Sequence, residues 1–132
     1  MTVFADTSAL YAAIDRDDEN HEATAAAMAR LLSQAAILLT NNYVLLETCA
    51  LLQRRLGPAA FRVFQQDVFP LLTVEWITER RHRARVEAAL AAARRKLRVV
   101  DCVSFQSMRE GGVRTAFCFD PHFREQGFEL VP

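Results

Sequence analysis

The sequence predicts a single α/β domain, a three-layer sandwich in which a mostly parallel sheet is flanked by helices on both faces. Three observations carry that prediction. Short apolar runs of strand length alternate with helix-like segments along the whole chain, the pattern of parallel strands covered on both faces. Two of those runs end on an aspartate, Asp6 and Asp120, where open α/β sheets place ligands beyond the carboxyl ends of their strands. No linker, repeat or low-complexity segment divides the 132 residues, a length that suffices for one sizeable core.

Taken in order, Val3-Phe4-Ala5 is a buried strand running into Asp6, and Thr7 and Ser8 open a helix that continues from Ala9 to Ile14. The polar stretch from Asp15 to Asn20 is a loop whose acids suit the positive end of the helix that follows, His21 to Ala36. Ala36 to Thr40 is a second strand, bounded by Asn41 and Asn42. A helix from Tyr43 to Leu56 stops at Gly57, and Pro58 opens the next, whose stripe of Phe61, Phe64 and Val68 is closed by Pro70. Leu72 to Ile77 is a third strand, with Thr78 as N-cap of a long helix from Glu79. On that helix Val86, Leu90, Ala93 and Leu97 share a sector, while Arg81, Arg85, Arg95 and Lys96 form a basic outer face facing solvent. Asp101 to Arg109 is a shorter helix ended by Gly111-Gly112. Arg114 to Phe119 is a fourth strand ending at Asp120, and Phe128 to Val131 a last short one.

Composition narrows the function classes. Sixteen basic and sixteen acidic residues give no net charge, so the chain lacks the overall basic footprint of simple nucleic-acid binders. Its basic residues are nearly all arginine, with Lys96 the single lysine. Cys49, Cys102 and Cys118 form no C-x-x-C pair, which argues against zinc and for reduced thiols in the core. No apolar run reaches the ~20 residues of a membrane span, and no basic segment precedes the first apolar stretch. A cytoplasmic protein without membrane association is the expectation.

Four carboxylates resist a purely structural account: Asp6, Glu47, Asp101 and Asp120. Singly, Asp6 and Asp101 could be helix caps and Asp120 an Asx-turn before Pro121. Glu47 is harder to dismiss, as the sole charge between Tyr43 and Leu52, because an ionised carboxylate on an apolar helix is costly without a partner. Jointly they point one way, since parallel strands share one carboxyl edge and the helices bearing Glu47 and Asp101 begin near it. Carboxylates forced together raise one another's pKa, and a divalent cation removes the conflict. Hard oxygen ligands that leave room for water suit Mg²⁺ or Mn²⁺, and such an ion activates water for phosphodiester hydrolysis. Ser8 and Ser104, each close after an acid, are placed to support a metal-bound water or a phosphate, or simply to cap a first turn.

Other chemistries fit less well. There is no glycine-rich phosphate loop or dinucleotide fingerprint. Cys and His form no nucleophile set, and His21, His82 and His122 no metal triad. A phosphoacceptor domain would want a lysine at a late strand end, where Lys96 is not, and an Asp-x-Asp phosphatase would want an acid at Ser8.

At these residues the chain resembles the PIN-domain family, and within it the small VapC-type toxins of prokaryotic toxin–antitoxin pairs. The matching pieces are Phe4 to Tyr11, Asn42 to Thr48, Val100 to Phe105 and Phe119 to Phe123, in family order and spanning essentially residues 1–132 as one PIN-like nuclease domain. The resemblance implies a Mg²⁺-dependent endoribonuclease acting as a toxin, with Asp6 and Asp101 as metal ligands and Glu47 and Asp120 completing the acidic pocket. It further implies an RNA substrate such as tRNA or another structured RNA, a homodimer, and a cognate antitoxin that blocks the site with a basic residue. Two alternatives stand beside it: a PIN nuclease for RNA processing or structured DNA without an antitoxin, and a catalytically idle domain that binds RNA or protein.

Overall fold

The structure, a computed structural model, describes residues 1–92 and 96–132. Five apolar runs pair into one sheet: Thr2–Ala5 (β1), Ile37–Asn41 (β2), Leu72–Glu75 (β3), Thr115–Phe117 (β4) and Glu129–Val131 (β5). Their order is β3-β2-β1-β4-β5, and every pairing is parallel. The central strand is the most deeply buried, with Val3, Phe4 and Ala5 fully inaccessible, as a strand covered on both faces must be.

The helices are Thr7–Ile14 (α1), His21–Ser33 (α2), Asn42–Leu56 (α3), Pro58–Val63 (α4), Glu79–Ala92 (α5), Val99–Glu110 (α6) and Pro121–Glu125 (α7). Steps from β1 to β2 to β3 run in one direction, and the chain then crosses back to lay β4 on the other side of β1. Right-handed crossovers therefore put α1 to α4 on one face and α5 to α7 on the other. The packing agrees: α1 touches α2 and α3, and α5 touches α6. On the second face Phe105 of α6 meets Phe123 of α7 edge-on, with ring centroids 4.9 Å apart.

Local chemistry sets the element ends. Asn41 caps α3 by accepting from the Val44 N–H at 2.9 Å, and its neighbour Asn42 accepts from the Ile77 N–H at 2.7 Å. Gly57 ends α3 at φ +94°, a conformation that L side chains rarely adopt, and Pro58 starts α4. After α4 one π-helical turn, Phe64–Val68, and one 3₁₀ turn, Phe69–Leu71, bury Phe64 and Val68 and lead into β3.

The sequence reading needs four corrections. The first concerns α5, where Arg85 is not on a solvated face but is the buried residue of the helix, while Leu90 is exposed. Arg85 reaches Glu75 at the end of β3 with two 2.8 Å contacts and Glu110 of α6 with another. A stripe made largely of alanine offers little apolar area, so the charged anchor decides which side faces inward. Ala93 and Arg95 lie outside the described residues, and Lys96 is exposed. Second, α6 begins at Val99, so Asp101 lies inside its first turn and Arg98 holds the cap position. Third, β3 ends at Glu75 and leaves Trp76 exposed, while β4 ends at Phe117, short of Asp120. Fourth, α7 follows at once, capped by Asp120 with Pro121 in its first turn, a helix the sequence reading did not foresee.

Candidate active site

Strand order defines where a ligand can enter. After β1 the chain leaves toward β2, and after β4 it leaves toward β5, on opposite faces of the sheet. Between the carboxyl ends of β1 and β4 the backbone diverges and opens a crevice. Asp6 follows the first of these strands, and Asp120 lies three residues past the second. A cleft of about 310 Å³ here is lined by Asp6, Ser8, Glu47, Arg55, Arg98 and Asp120 among others.

Asp6 is 4% exposed. Its Oδ2 accepts from the Ser8 N–H at 3.4 Å and from the Ser8 hydroxyl at 3.2 Å, so the residue does cap α1. Ser8 Oγ also accepts from the Phe119 N–H at 3.0 Å, tying the start of α1 to the segment that carries Asp120. The other oxygen, Oδ1, is buried and has no hydrogen-bond partner among the described residues. Burial, and after it the charge of Asp101, push the Asp6 carboxyl up to about 6. A cap alone needs neither the orphaned oxygen nor the second acid.

Asp101 is 1% exposed. Burial raises its pKa, Arg98 opposes that rise, and the charges of Asp120 and Glu47 add to it. Glu47 does not sit unpaired on α3: the Arg98 guanidinium donates to its Oε1 at 2.8 Å and contacts both Asp101 oxygens at 3.4 Å. The two acids hold the arginine's pKa above its ordinary range. Asp120 accepts from the His122 N–H at 2.9 Å through Oδ1, the Asx-turn geometry expected before Pro121. Ser104 is fully buried, and its Oγ has no hydrogen-bond partner among the described residues.

The scaffold holds these groups from behind. Thr40 donates to the Ala5 carbonyl at 3.0 Å, binding the ends of β2 and β1 together. Thr48 on α3 donates to the Val44 carbonyl at 2.7 Å and stands 3.2 Å from the Thr7 hydroxyl, which locks α3 against α1 beside the acids. On the far side, Ser107 donates to Glu75 at 2.7 Å and accepts from Asn41 and Arg85, both at 3.1 Å. That buried network fixes α6, and hence Asp101, to the ends of β2 and β3.

Sequence reasoning missed two members of the site. Arg98 is the internal cation, and its three-residue spacing from Asp101 at a helix start is a pairing signal. Cys118 is the other: its thiol points to Asp6 Oδ2 at 3.6 Å, and its sulfur accepts from the Asp120 N–H at 3.1 Å. Burial and then the charge of Asp6 raise its pKa. Nothing in the sequence distinguished it from an ordinary core cysteine.

The donor set fits a hard divalent cation in kind. Among the described residues no three Asp, Glu, His or Cys side chains stand close enough to ligate one ion by themselves. Two carboxylates with water completing the shell is, however, a usual arrangement for Mg²⁺. The buried, unpartnered Asp6 Oδ1 beside a second buried acid is a binding position of that kind.

The parallel sheet in the order 3-2-1-4-5, with Asp6, Glu47 and Asp120 lining one cleft beside its switch point, is the architecture of a PIN domain; residues 3–129 match that family, and the chain belongs to it. It is similar to the 23S rRNA-specific endonuclease VapC20 of Mycobacterium tuberculosis, 32% identical over 130 residues that cover 98% of this chain and 97% of that protein. The crystal structure of VapC20, described as a sarcin-ricin loop cleaving toxin, superposes with a TM-score of 0.83 at 31% identity, covering 98% of this chain and 99% of that one. FitAcB from Neisseria gonorrhoeae shares the fold at 12% identity and a TM-score of 0.70, over 100% of this chain and 97% of that one. VapBC2 from Rickettsia felis, solved with a DNA fragment of its promoter, does so at 11% identity and a TM-score of 0.72, over 98% and 97% of the two chains. Among the described residues, no helix is long and apolar enough to cross a membrane.

Proposed function

We propose that this protein is a VapC-type toxin, a divalent-metal-dependent endoribonuclease that cuts RNA in the crevice between β1 and β4. The observation that carries the reading is the pair of buried carboxylates, Asp6 and Asp101, the charge of Asp101 raising the cost of ionising Asp6, with Asp6 Oδ1 lacking a hydrogen-bond partner among the described residues. A fold keeps such a pair when something cationic completes it.

In this reading Asp6 and Asp101 hold the cation, Mg²⁺ or Mn²⁺. When bound, it acidifies a water and stabilises charge on the phosphoryl oxygen. Asp120 lines the crevice, its Oδ1 taken by the His122 N–H and its Oδ2 without a hydrogen bond among the described residues, and it orients the attacking water and accepts its proton. Ser8 keeps Asp6 in its rotamer and anchors the Phe119 backbone, so that Asp6 and Asp120 stay in register. Ser104 offers its unpartnered hydroxyl to a water of the site. Glu47 holds Arg98 at the mouth of the crevice.

The likeness to VapC20 over nearly the full length of both chains favours ribosomal RNA of the large subunit as substrate, at its sarcin-ricin loop. Membership of the PIN family and the fold shared with the VapBC2 toxin–antitoxin pair favour a cognate antitoxin as partner, and the resemblance to VapC-type toxins implies that it inserts a cation into the acidic crevice of a cytoplasmic homodimer. The test is to incubate the purified protein with ribosomes, with a sarcin-ricin hairpin and with total tRNA in Mg²⁺, and to map the ends. A single cut in the ribosomal loop supports the substrate assignment. Cuts confined to tRNA leave a ribonuclease with a different target, and intact RNA in all three contradicts the reading.

A further inference from the structure

An acidic crevice cannot hold a polyanion unaided, so the RNA strand needs cationic contacts close to the cut. A second cleft, of about 380 Å³, adjoins the first and is lined by Glu47, Ala50, Leu51, Arg54, Arg55 and Arg98. The two clefts share Glu47, Leu51, Arg55 and Arg98, which makes them one continuous groove along α3. Its charge reverses along its length, from the aspartates near the strand ends, past Arg98 beside Glu47, to Arg54 and Arg55 in the last turn of α3.

The charges in the second cleft are only partly used by the protein: Arg98 pairs with Glu47 and Asp101, and Arg55 faces Tyr11 and helps that tyrosine's hydroxyl hold the Asp15 carboxyl below its ordinary range. Among the described lining residues the cleft's one acid, Glu47, is already engaged by Arg98 at 2.8 Å. Among the described residues neither Arg54 nor Arg55 forms an ion pair. Arg55 lies over the Tyr11 ring at 5.3 Å, and Tyr11 is fixed in turn by its 2.7 Å bond to Asp15. Cations in the last turn suit the negative end of α3, but that benefit needs no groove in front of them and no link to the acids.

We propose that this arginine-lined cleft binds the ribose-phosphate backbone of the RNA strand next to the bond being cut. Arg98 stands at the junction, and Arg54 and Arg55 take the phosphates beyond it. Guanidinium groups suit phosphate because they offer paired, planar donors. The inference rests on the ribonuclease reading and adds to it the direction in which the strand leaves the acidic site.

The test measures binding of a labelled single-stranded RNA by anisotropy, in chelator, with the Asp6→Asn protein as the uncleaving parent, from 50 to 200 mM salt. Two lost phosphate contacts on a single strand lower the slope of log K against log salt by about 1.4. The Arg54→Gln/Arg55→Gln variant therefore loses about sevenfold less affinity than its parent across that range. Arg54→Lys/Arg55→Lys, which keeps the charge, retains most of the slope, and Arg62→Gln, on the exposed side of α4, leaves it unchanged. Equal slopes for the parent and the Gln/Gln variant, both shown folded by circular dichroism, overturn the proposal, as does an equal loss with Arg62→Gln. Wild-type protein run alongside in Mg²⁺ separates the two readings. Cleavage with an unaltered slope removes only the arginine track, whereas RNA neither cut nor bound removes the ribonuclease reading with it.

Discussion

Replacing Asp6 by asparagine should make the metal-free protein more stable at neutral pH, the reverse of what a removed active-site side chain usually does. The Asp6 carboxyl is pushed from 3.8 to about 6, by burial first and by Asp101 second. Keeping it ionised in the folded chain costs about 3 kcal/mol at pH 7.5. Asparagine removes that charge and still offers an oxygen to the Ser8 N–H, so the cap of α1 survives. With an unfolding entropy of about 2.1 cal/mol/K per residue over 132 residues, 3 kcal/mol corresponds to about 10 °C in Tm. A carboxyl raised on folding destabilises above its folded pKa and not below its unfolded one. The advantage of the variant is therefore full above about pH 6, about half as large near pH 5, and gone near 3.8. Thermal melts of both proteins in chelator at pH 7.5, 5 and 4 measure this, and added Mg²⁺ should raise the wild-type Tm and leave the variant's unchanged. An Asp6→Asn protein no more stable than wild type in chelator at pH 7.5, or a gain independent of pH, would refute the reasoning and leave Asp6 as a helix cap.

Three further outcomes follow from the packing. Arg85→Met should cost about 3–5 kcal/mol by urea denaturation, because it leaves Glu75 without the buried partner that holds its pKa down. Combined with Glu75→Gln the loss should be clearly less than additive. Phe123→Ala removes a fully buried ring packed on Phe105 and should cost about 3–5 kcal/mol, read as a lower urea midpoint with an unchanged slope. Cys118 should resist iodoacetamide at pH 8 in the native protein and react at once on unfolding, because burial and Asp6 both disfavour its thiolate. Rapid native labelling would show that the Asp6–Cys118 contact is open to solvent.

Elements with short-range causes were legible in the sequence. Gly57-Pro58 marks a helix end and a helix start through backbone geometry alone, and the strand leading to Asp6 is a plain apolar run. That Asp6 and Asp120 would line one cleft was legible too, because parallel strands share one carboxyl edge. Orientation was harder where two forces compete. On α5 the periodicity of alanine and leucine pointed one way and a single arginine the other, and Arg85 won because Glu75, Ser107 and Glu110 lie far apart in sequence and meet only in the fold. The partners of Glu47 and Asp6 were hidden for the same reason: Arg98 is 51 residues from Glu47, and Cys118 is 112 from Asp6. No local pattern announces either contact.

The central claim is that the crevice between β1 and β4 is a metal-dependent ribonuclease site built on Asp6 and Asp101. Its most direct test follows one RNA substrate over time with wild-type protein in Mg²⁺, in Mn²⁺ and in chelator, beside folded Asp6→Asn and Asp101→Asn proteins. Discrete fragments that require the metal, and that fall by at least a hundredfold in rate with either variant, are the expected result. Fragments that persist in chelator, or that form equally fast with both variants, would place the chemistry elsewhere and leave the buried acids structural.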